Sequence, residues 1–165
     1  MKLTVTSLGL MASALCAFTG PAAAMQPGAA VAASGAIYIQ QADLASQLKA
    51  AIAKQADPAL ATIGVTDDHS IHEVHRSKPG PPAIHPGATE LHFILSGSGL
   101  MVTGGRIVTA ADGKKEVEGG VARMVRKGDA IIIPPGTPHW YKQINGSISY
   151  LEVRFVTAAA ADTAK

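Results

Sequence analysis

Two histidines and one glutamate are spaced as the ligands of a metal ion would be. His85 precedes a tight turn at residues 86–89, and Glu90 begins the apolar run that follows. His139 comes directly after the proline-rich residues 134–138, which fix the direction of the chain. Two neutral imidazoles and a carboxylate form the facial triad expected for Fe(II), and the same set accepts Mn(II), Ni(II) or Zn(II). The pattern predicts one divalent metal ion with positions open to water, dioxygen or substrate.

Two further side chains are placed to act beside that metal. His92 lies two residues after Glu90, so on a strand both face the same side. His92 is then either a further ligand, a base beside the metal, or a core histidine held by a hydrogen bond. Tyr141 shares a face with His139, whereas Trp140 points the other way and is expected to pack. We predict His92 and Tyr141 as catalytic residues and no cofactor besides the metal.

Three more histidines are spaced by three along the chain. On a strand this spacing puts His72 opposite His69 and His75, so the three cannot chelate one ion together. Surface positions are the favoured interpretation, and one of the three reaching the mouth of a pocket is the alternative.

From residue 69 onward the chain has the pattern of an antiparallel β-protein, and the barrel is predicted over residues 58–156. Short runs rich in β-branched and aromatic residues alternate with turn residues, and Asn145-Gly146 is typical of a hairpin turn. The segment ADGKKEVEGG is interpreted as a surface loop. Regular spacing of this kind predicts a sandwich or a small barrel.

An amphipathic helix is predicted ahead of these strands, at residues 43–57. Asp43 is placed to cap it, and Leu44, Leu48 and Ile52 fall on one stripe that would pack on the barrel. Residues 25–42 are small and polar and predict a flexible linker, and the alanine-rich residues 157–165 predict a disordered tail.

The first 24 residues have the composition of a secretory signal peptide. Lys2 gives a positive start, residues 3–18 are almost free of charge, and three alanines at 22–24 suit cleavage after Ala24. A membrane anchor is the alternative, but the apolar run is short and interrupted. Cleavage would remove Cys16, the one cysteine, so metal ligands would come from His, Asp or Glu. We therefore expect a protein exported to the periplasm or the extracellular space, with no membrane attachment after cleavage.

The charge balance narrows the range of partners. The formal net charge is +2, and Lys2 would be lost with the signal peptide. Basic runs with interleaved aromatic residues do not occur, so we expect no nucleic-acid partner and a small-molecule ligand or substrate instead.

Two motifs in order give the chain a resemblance to the cupin superfamily of small metal-binding β-barrels. In the first, four residues separate His85 from Glu90 and six separate Glu90 from Gly97, with germin-like wording at HPGATE. The second runs from Gly128 through Pro-Pro-Gly-Thr-Pro to His139, and 30 residues separate Gly97 from Gly128. The resemblance implies an all-β, cupin-type jelly-roll barrel with the helix at its N-terminal side.

The resemblance also implies that His85, Glu90 and His139 are metal ligands. Its first motif usually carries His-x-His, and here the first of the two histidines is replaced by Ala83. The function implied is a metal-dependent enzyme on a small organic substrate, of the oxygenase, decarboxylase, isomerase or lyase type. The alternative is a non-catalytic protein that binds a metal or a small molecule. The tendency of cupins to pair through sheet edges favours a homodimer.

Overall fold

One helix and eight strands make up residues 35–156, the part of the chain that the structure, a computed structural model, describes. The predicted signal peptide and tail and residues 25–34 of the predicted linker lie outside these residues. Residues 35–40 have no regular structure. The elements in chain order are α1 (Gln41–Ala53), β1 (Ala59–Val65), β2 (His69–Arg76), β3 (Ala88–Thr103), β4 (Arg106–Thr109), β5 (Lys115–Glu118), β6 (Val121–Arg126), β7 (Ala130–Ile133) and β8 (His139–Val156).

The long antiparallel pair β3 and β8 forms the centre of the fold. The first half of β3 pairs with β7 and with the second half of β8. The second half of β8 also pairs with β2, and β2 pairs with β1. The second half of β3 pairs with β6 and with the first half of β8. Each long strand thus has different neighbours along its length, and the structure confirms the predicted all-β jelly-roll barrel with a helix before its strands.

Both long strands are interrupted by bulges where the sequence predicted turns. The register of β3 with β8 shifts between Ile94 and Ser96 and again between Gly97 and Gly99. The Asn145-Gly146 pair lies within β8 opposite the second shift, so its prediction as a hairpin turn was wrong. A bulge adds local twist and bends the strand, which lets one strand serve both ends of a barrel.

Two short elements were also missed by the sequence pattern. The segment predicted as a surface loop contains β5, which pairs with β4 as a separate two-stranded sheet. Strand β1 is rich in alanine and small residues, so its alternation is weak even though Ala59 and Ala61 are fully buried.

The helix begins and ends earlier than the predicted residues 43–57. Gln40 is its N-cap residue and makes no side-chain cap bond, so Asp43 lies in the first turn instead of capping. Beyond Ala53, Gln55 has a positive φ of 58°, which ends the helix before Pro58. The helix contacts β1 and β2, but its leucine stripe is only half-buried. No helix among residues 35–156 is long and apolar enough to cross a membrane.

Alternation along the strands separates an inner face from an outer one. The buried core consists of apolar and tyrosine side chains from β2, β3, β6, β7 and β8: Val74, Ile94, Met101, Val125, Ile133, Tyr141, Ile148 and Tyr150. On the outer face Phe93, Ile132 and Phe155 are exposed. A few polar side chains are buried with the core, and these form the site described next.

Gly97 at the bulge provides a test of this packing. Its φ is +74°, and a Cβ there would overlap the Ser147 carbonyl oxygen on β8, whereas Gly128 has φ +93° with open space around it. We expect Gly128→Ala to lower the free energy of unfolding by about 1–2 kcal/mol through backbone strain alone. Gly97→Ala should cost about 3 kcal/mol or more, because the clash adds to the strain. Urea denaturation would measure both, and equal losses would contradict the tight β3–β8 contact.

Candidate metal centre

The three predicted ligands come together because two connections are tied to each other. Ala83 and His139 form a β-bridge, with each backbone N–H donating to the other's carbonyl at 2.9 Å. The N–H of Gly136 donates to the His85 carbonyl at 3.0 Å. These bonds hold the segment before β3 against the start of β8, while Glu90 enters the same space from β3.

The geometry of the three side chains fits a common ion. One donor atom of each of His85, Glu90 and His139 lies within 4.8 Å of the other two. Glu90 is 1% exposed and His139 is 6% exposed, whereas the His85 side chain is 35% exposed. The group therefore lies at the inner wall of a cavity, with His85 on the side of solvent.

His139 is held in the protonation state that a ligand requires. Its Nδ1 lies 3.1 Å from the Thr137 carbonyl oxygen, which can only accept, so Nδ1 carries the proton. Burial lowers the pKa of His139, and the ring is neutral. The lone pair on Nε2 is thus free, and Nε2 lies 3.7 Å from Glu90 Oε2. A histidine whose other nitrogen is fixed in this way is typical of metal sites.

Glu90 is ionised across the physiological range. Burial alone would raise the pKa of its carboxyl, but contact with His92 and the neighbouring His139, His85 and Arg154 together lower it to about 2. Its Oε1 is in hydrogen-bond contact with His85 Nδ1. Arg154 Nη2 approaches Oε2 at 3.6 Å.

His92 lies deeper than the three predicted ligands and faces two carboxylates. It is 2% exposed, and its Nε2 is 3.4 Å from Glu90 Oε2 and 3.6 Å from Glu152 Oε2. Burial works against a charged ring, yet the nearby carboxylates of Glu152 and Glu90 raise the pKa of His92. On the other side of the ring, Nδ1 lies 3.2 Å from the Tyr141 hydroxyl. The two residues predicted as catalytic are therefore in contact with each other, beside Glu90.

Register explains why these groups meet. Across β2, β8 and β3, Ser70, Arg154 and Glu90 form one row, and His72, Glu152 and His92 form the next. Because paired residues on neighbouring strands face the same side, each row points into the barrel.

Sequence reasoning missed Glu152 and Arg154, although a signal for them existed. They alternate with Tyr150 along SISYLEVRF, so charged residues share a face with a buried aromatic one. Glu152 Oε1 accepts a hydrogen bond from Arg154 Nη2 at 3.2 Å. Charged residues on the inner face of a barrel strand indicate a site, because an unpaired charge is costly to bury.

The cavity has a volume of about 300 Å³ and contains more of the barrel wall than the sequence predicted. Trp140 was expected only to pack; its indole N–H donates to the Gly80 carbonyl at 2.7 Å, and the side chain also lines the cavity. Of the three histidines spaced along β2, His72 reaches the cavity. His69 instead contacts Asp68 and Thr66, and His75 contacts Ser149.

Three buried polar atoms in this cluster lack a hydrogen-bond partner. Glu90 Oε2, His92 Nε2 and Arg154 Nε are buried and make no hydrogen bond within residues 35–156. Leaving such atoms without partners costs about 1–3 kcal/mol each, so native proteins normally satisfy them. The ionised Glu90 carboxylate and the free Nε2 lone pair of the neutral His139 fit a cation, and the residues present therefore suit a divalent metal.

Comparison with known protein families supports the assignment of the barrel. Residues 80–161 match the family model of the cupins, across both motifs and the strands between them. The barrel of this chain is a cupin. No curated protein sequence matches the chain.

Among solved structures, the cupin chain is similar to three from bacteria. The DMSP lyase DddQ of Ruegeria pomeroyi is 20% identical, with a TM-score of 0.48 over 63% of this chain and 49% of that one. An uncharacterised Klebsiella pneumoniae protein with a double-stranded β-helix domain is 19% identical (TM-score 0.46; 63% and 81% covered). A predicted oxalate decarboxylase of Thermotoga maritima is 15% identical (TM-score 0.46; 59% and 79% covered). The chain spans about half the length of the DMSP lyase.

This cupin has Ala83 where the first motif usually has a histidine, and the backbone at that position is unaffected. Ala83 lines the cavity and is bonded through its backbone to His139, so the position of the missing histidine is retained without its imidazole. A side chain added there would extend toward the cavity that contains His85 and His139. One donor atom of each of His92, Glu90 and Glu152 also lies within 4.8 Å of the other two, so His92 remains a candidate ligand.

Ala83→His should therefore supply a further ligand without disturbing the fold. Since even the partners of metal ligands contribute about 10–100-fold to affinity, a new direct ligand should tighten Zn²⁺ or Mn²⁺ binding by roughly tenfold or more. Competition titration with a chromophoric chelator would measure the change, and Ala83→Gln provides a control of similar bulk. Equal affinities for the two variants would show that residue 83 does not face the ion.

Proposed function

We propose that this cupin is a metal-dependent enzyme acting on a small organic substrate. His85, Glu90 and His139 would hold one divalent ion, and the reaction would be of the oxygenase, decarboxylase, isomerase or lyase type. The observation that carries the proposal is the convergence of their three donor atoms within 4.8 Å at the wall of a cavity of about 300 Å³. The neutral His139 and the ionised Glu90 support it, because both are in the state that binds a cation.

The side chains next to these ligands are suited to handling a proton. A bound divalent ion would supply Lewis acidity toward a substrate oxygen. His92 Nε2 faces the carboxylates of Glu90 and Glu152, which raise the pKa of the ring against the effect of burial and so favour a protonated His92 that can donate a proton. Burial raises the pKa of Tyr141 well above its usual range, so the hydroxyl beside His92 Nδ1 stays protonated.

Metal content distinguishes these ligands from the other histidines. We expect His85→Ala and His139→Ala to lose most of the bound metal, because each removes one of three protein ligands. His69→Ala is the matched control, since His69 contacts Asp68 and Thr66 and does not line the cavity. Elemental analysis of the purified variants gives the metal-to-protein ratio. Unchanged ratios in all three variants would end the proposal.

A non-catalytic metal or small-molecule binder is the second candidate. The observation that favours it is Ala83, because one ligand fewer weakens the hold on an ion. His92→Gln separates the two candidates. For an enzyme this variant should keep its metal and lose about 10²–10⁴-fold in turnover of an active compound from a panel of acids, diketones and sugars. Metal-loaded wild-type protein that consumes neither dioxygen nor any member of the panel would favour the binder.

We also propose export and a paired state for this cupin. The composition of residues 1–24 supports cleavage after Ala24, and mass spectrometry of the protein expressed with its own leader should find a chain beginning at Met25. The exposed Phe93, Ile132 and Phe155 on the outer sheet face support a homodimer, which light scattering would detect as twice the chain mass.

A further inference from the structure

One cation in the cavity is fixed in place by the barrel wall. Arg76 is the last residue of β2 and lines the cavity with His72 and Val74. Its Nε donates to the Tyr150 hydroxyl at 3.0 Å, and its guanidinium carbon lies 6.0 Å from the centre of the Tyr141 ring. The hydrogen bond uses Nε and, among the described residues, leaves the terminal nitrogens Nη1 and Nη2 for other partners.

The position of Arg76 is confined from a second side. A Cβ at Gly80 would lie 2.9 Å from Arg76 Nη1, so the backbone there approaches the guanidinium closely. The Gly80 carbonyl is in turn held by the indole of Trp140. Arg76 is thus positioned before any ligand arrives, which lowers the entropic cost of binding.

Arg76 differs from the other arginine of the cavity in having no acidic partner. Arg154 approaches Glu152 at 3.2 Å and Glu90 at 3.6 Å. Within residues 35–156, no carboxylate lies in ion-pair contact with Arg76. A half-buried guanidinium without a counter-ion favours an anion in the space that it faces.

The net charge of the cavity with a bound metal ion also favours an anionic ligand. The two arginines balance the carboxylates of Glu90 and Glu152, so the ion of the proposed function would leave an excess of at least two positive charges. A neutral ligand would not compensate that excess, whereas an anion would. Beside these charged groups and the histidines, the lining includes the apolar or aromatic side chains of Leu60, Val74 and Trp140. Such side chains suit a carbon skeleton better than an inorganic anion.

We propose that the substrate of this cupin is a small organic acid whose carboxylate pairs with Arg76 while its body lies against the apolar wall. The proposal rests on the proposed function for the reaction, but the charge recognition belongs to Arg76 and can be tested without metal. Arg76 is then the residue that determines specificity for acids over neutral compounds.

Binding of matched acids and amides tests the proposal. The probes are straight-chain carboxylates of two to six carbons, such as butyrate, each compared with its primary amide, such as butyramide. The wild-type protein, loaded with Zn²⁺ or stripped with chelator, is titrated by calorimetry or ligand-observed NMR. We expect at least one acid to bind about tenfold or more tightly than its amide in both forms.

Variants assign that preference to Arg76. Arg76→Gln should reduce the preference of the stripped protein to within about threefold, and Arg76→Lys should retain a measurable part of it because the charge remains. Arg123→Gln is the control, since Arg123 is exposed on β6 and should leave the preference unchanged. Circular dichroism confirms that each variant is folded, and the lysine variant serves if the glutamine variant is not.

Failure of this inference is distinguishable from failure of the proposed function. No acid binding more tightly than its amide, or an unchanged preference in Arg76→Gln, overturns the role of Arg76 whatever the metal content. Acid preference in a protein whose metal content does not depend on His85 leaves Arg76 in place and overturns the metal proposal alone.

Discussion

The antiparallel register of β3 and β8 is the constraint on which the site depends. It pairs Glu90 with Arg154 and His92 with Glu152, so four ionisable side chains face inward from alternate positions of two strands. A shift of β8 by one residue against β3 would turn Glu152 and Arg154 outward and bring their apolar neighbours in. The bulges near Gly97 hold this register while allowing both strands to continue into the other end of the barrel.

The cluster is stable because its charges are arranged in pairs. Each buried carboxylate has a cationic or protonated neighbour, and the pKa shifts follow from that arrangement: that of Glu90 falls to about 2, and that of His92 rises. Within residues 35–156, three buried polar atoms still make no hydrogen bond: Glu90 Oε2, His92 Nε2 and Arg154 Nε. Since native proteins normally satisfy such atoms, the cluster is suited to a bound ligand.

Motif spacing predicted the fold and brought attention to His85, Glu90 and His139, because those residues are fixed by short local segments. It did not predict Glu152 or Arg76, since their proximity to His92 and Tyr150 arises from pairing between strands far apart in the chain. The bulge in β8 was misread for a related reason. An Asn-Gly pair favours positive φ in a turn and in a bulge alike, and only the partner strand decides between them.

At residue 83 the backbone holds the chain in place, through its bridge to His139, whether or not the side chain is a metal ligand. The structural task at residue 83 is performed by its N–H and C=O, which any amino acid except proline possesses. The side chain there is consequently free to change without loosening the attachment of one motif to the other. A substitution at residue 83 alone could therefore change the number of metal ligands while the barrel stays intact. The residue at this position would then set how long a bound ion stays in the barrel.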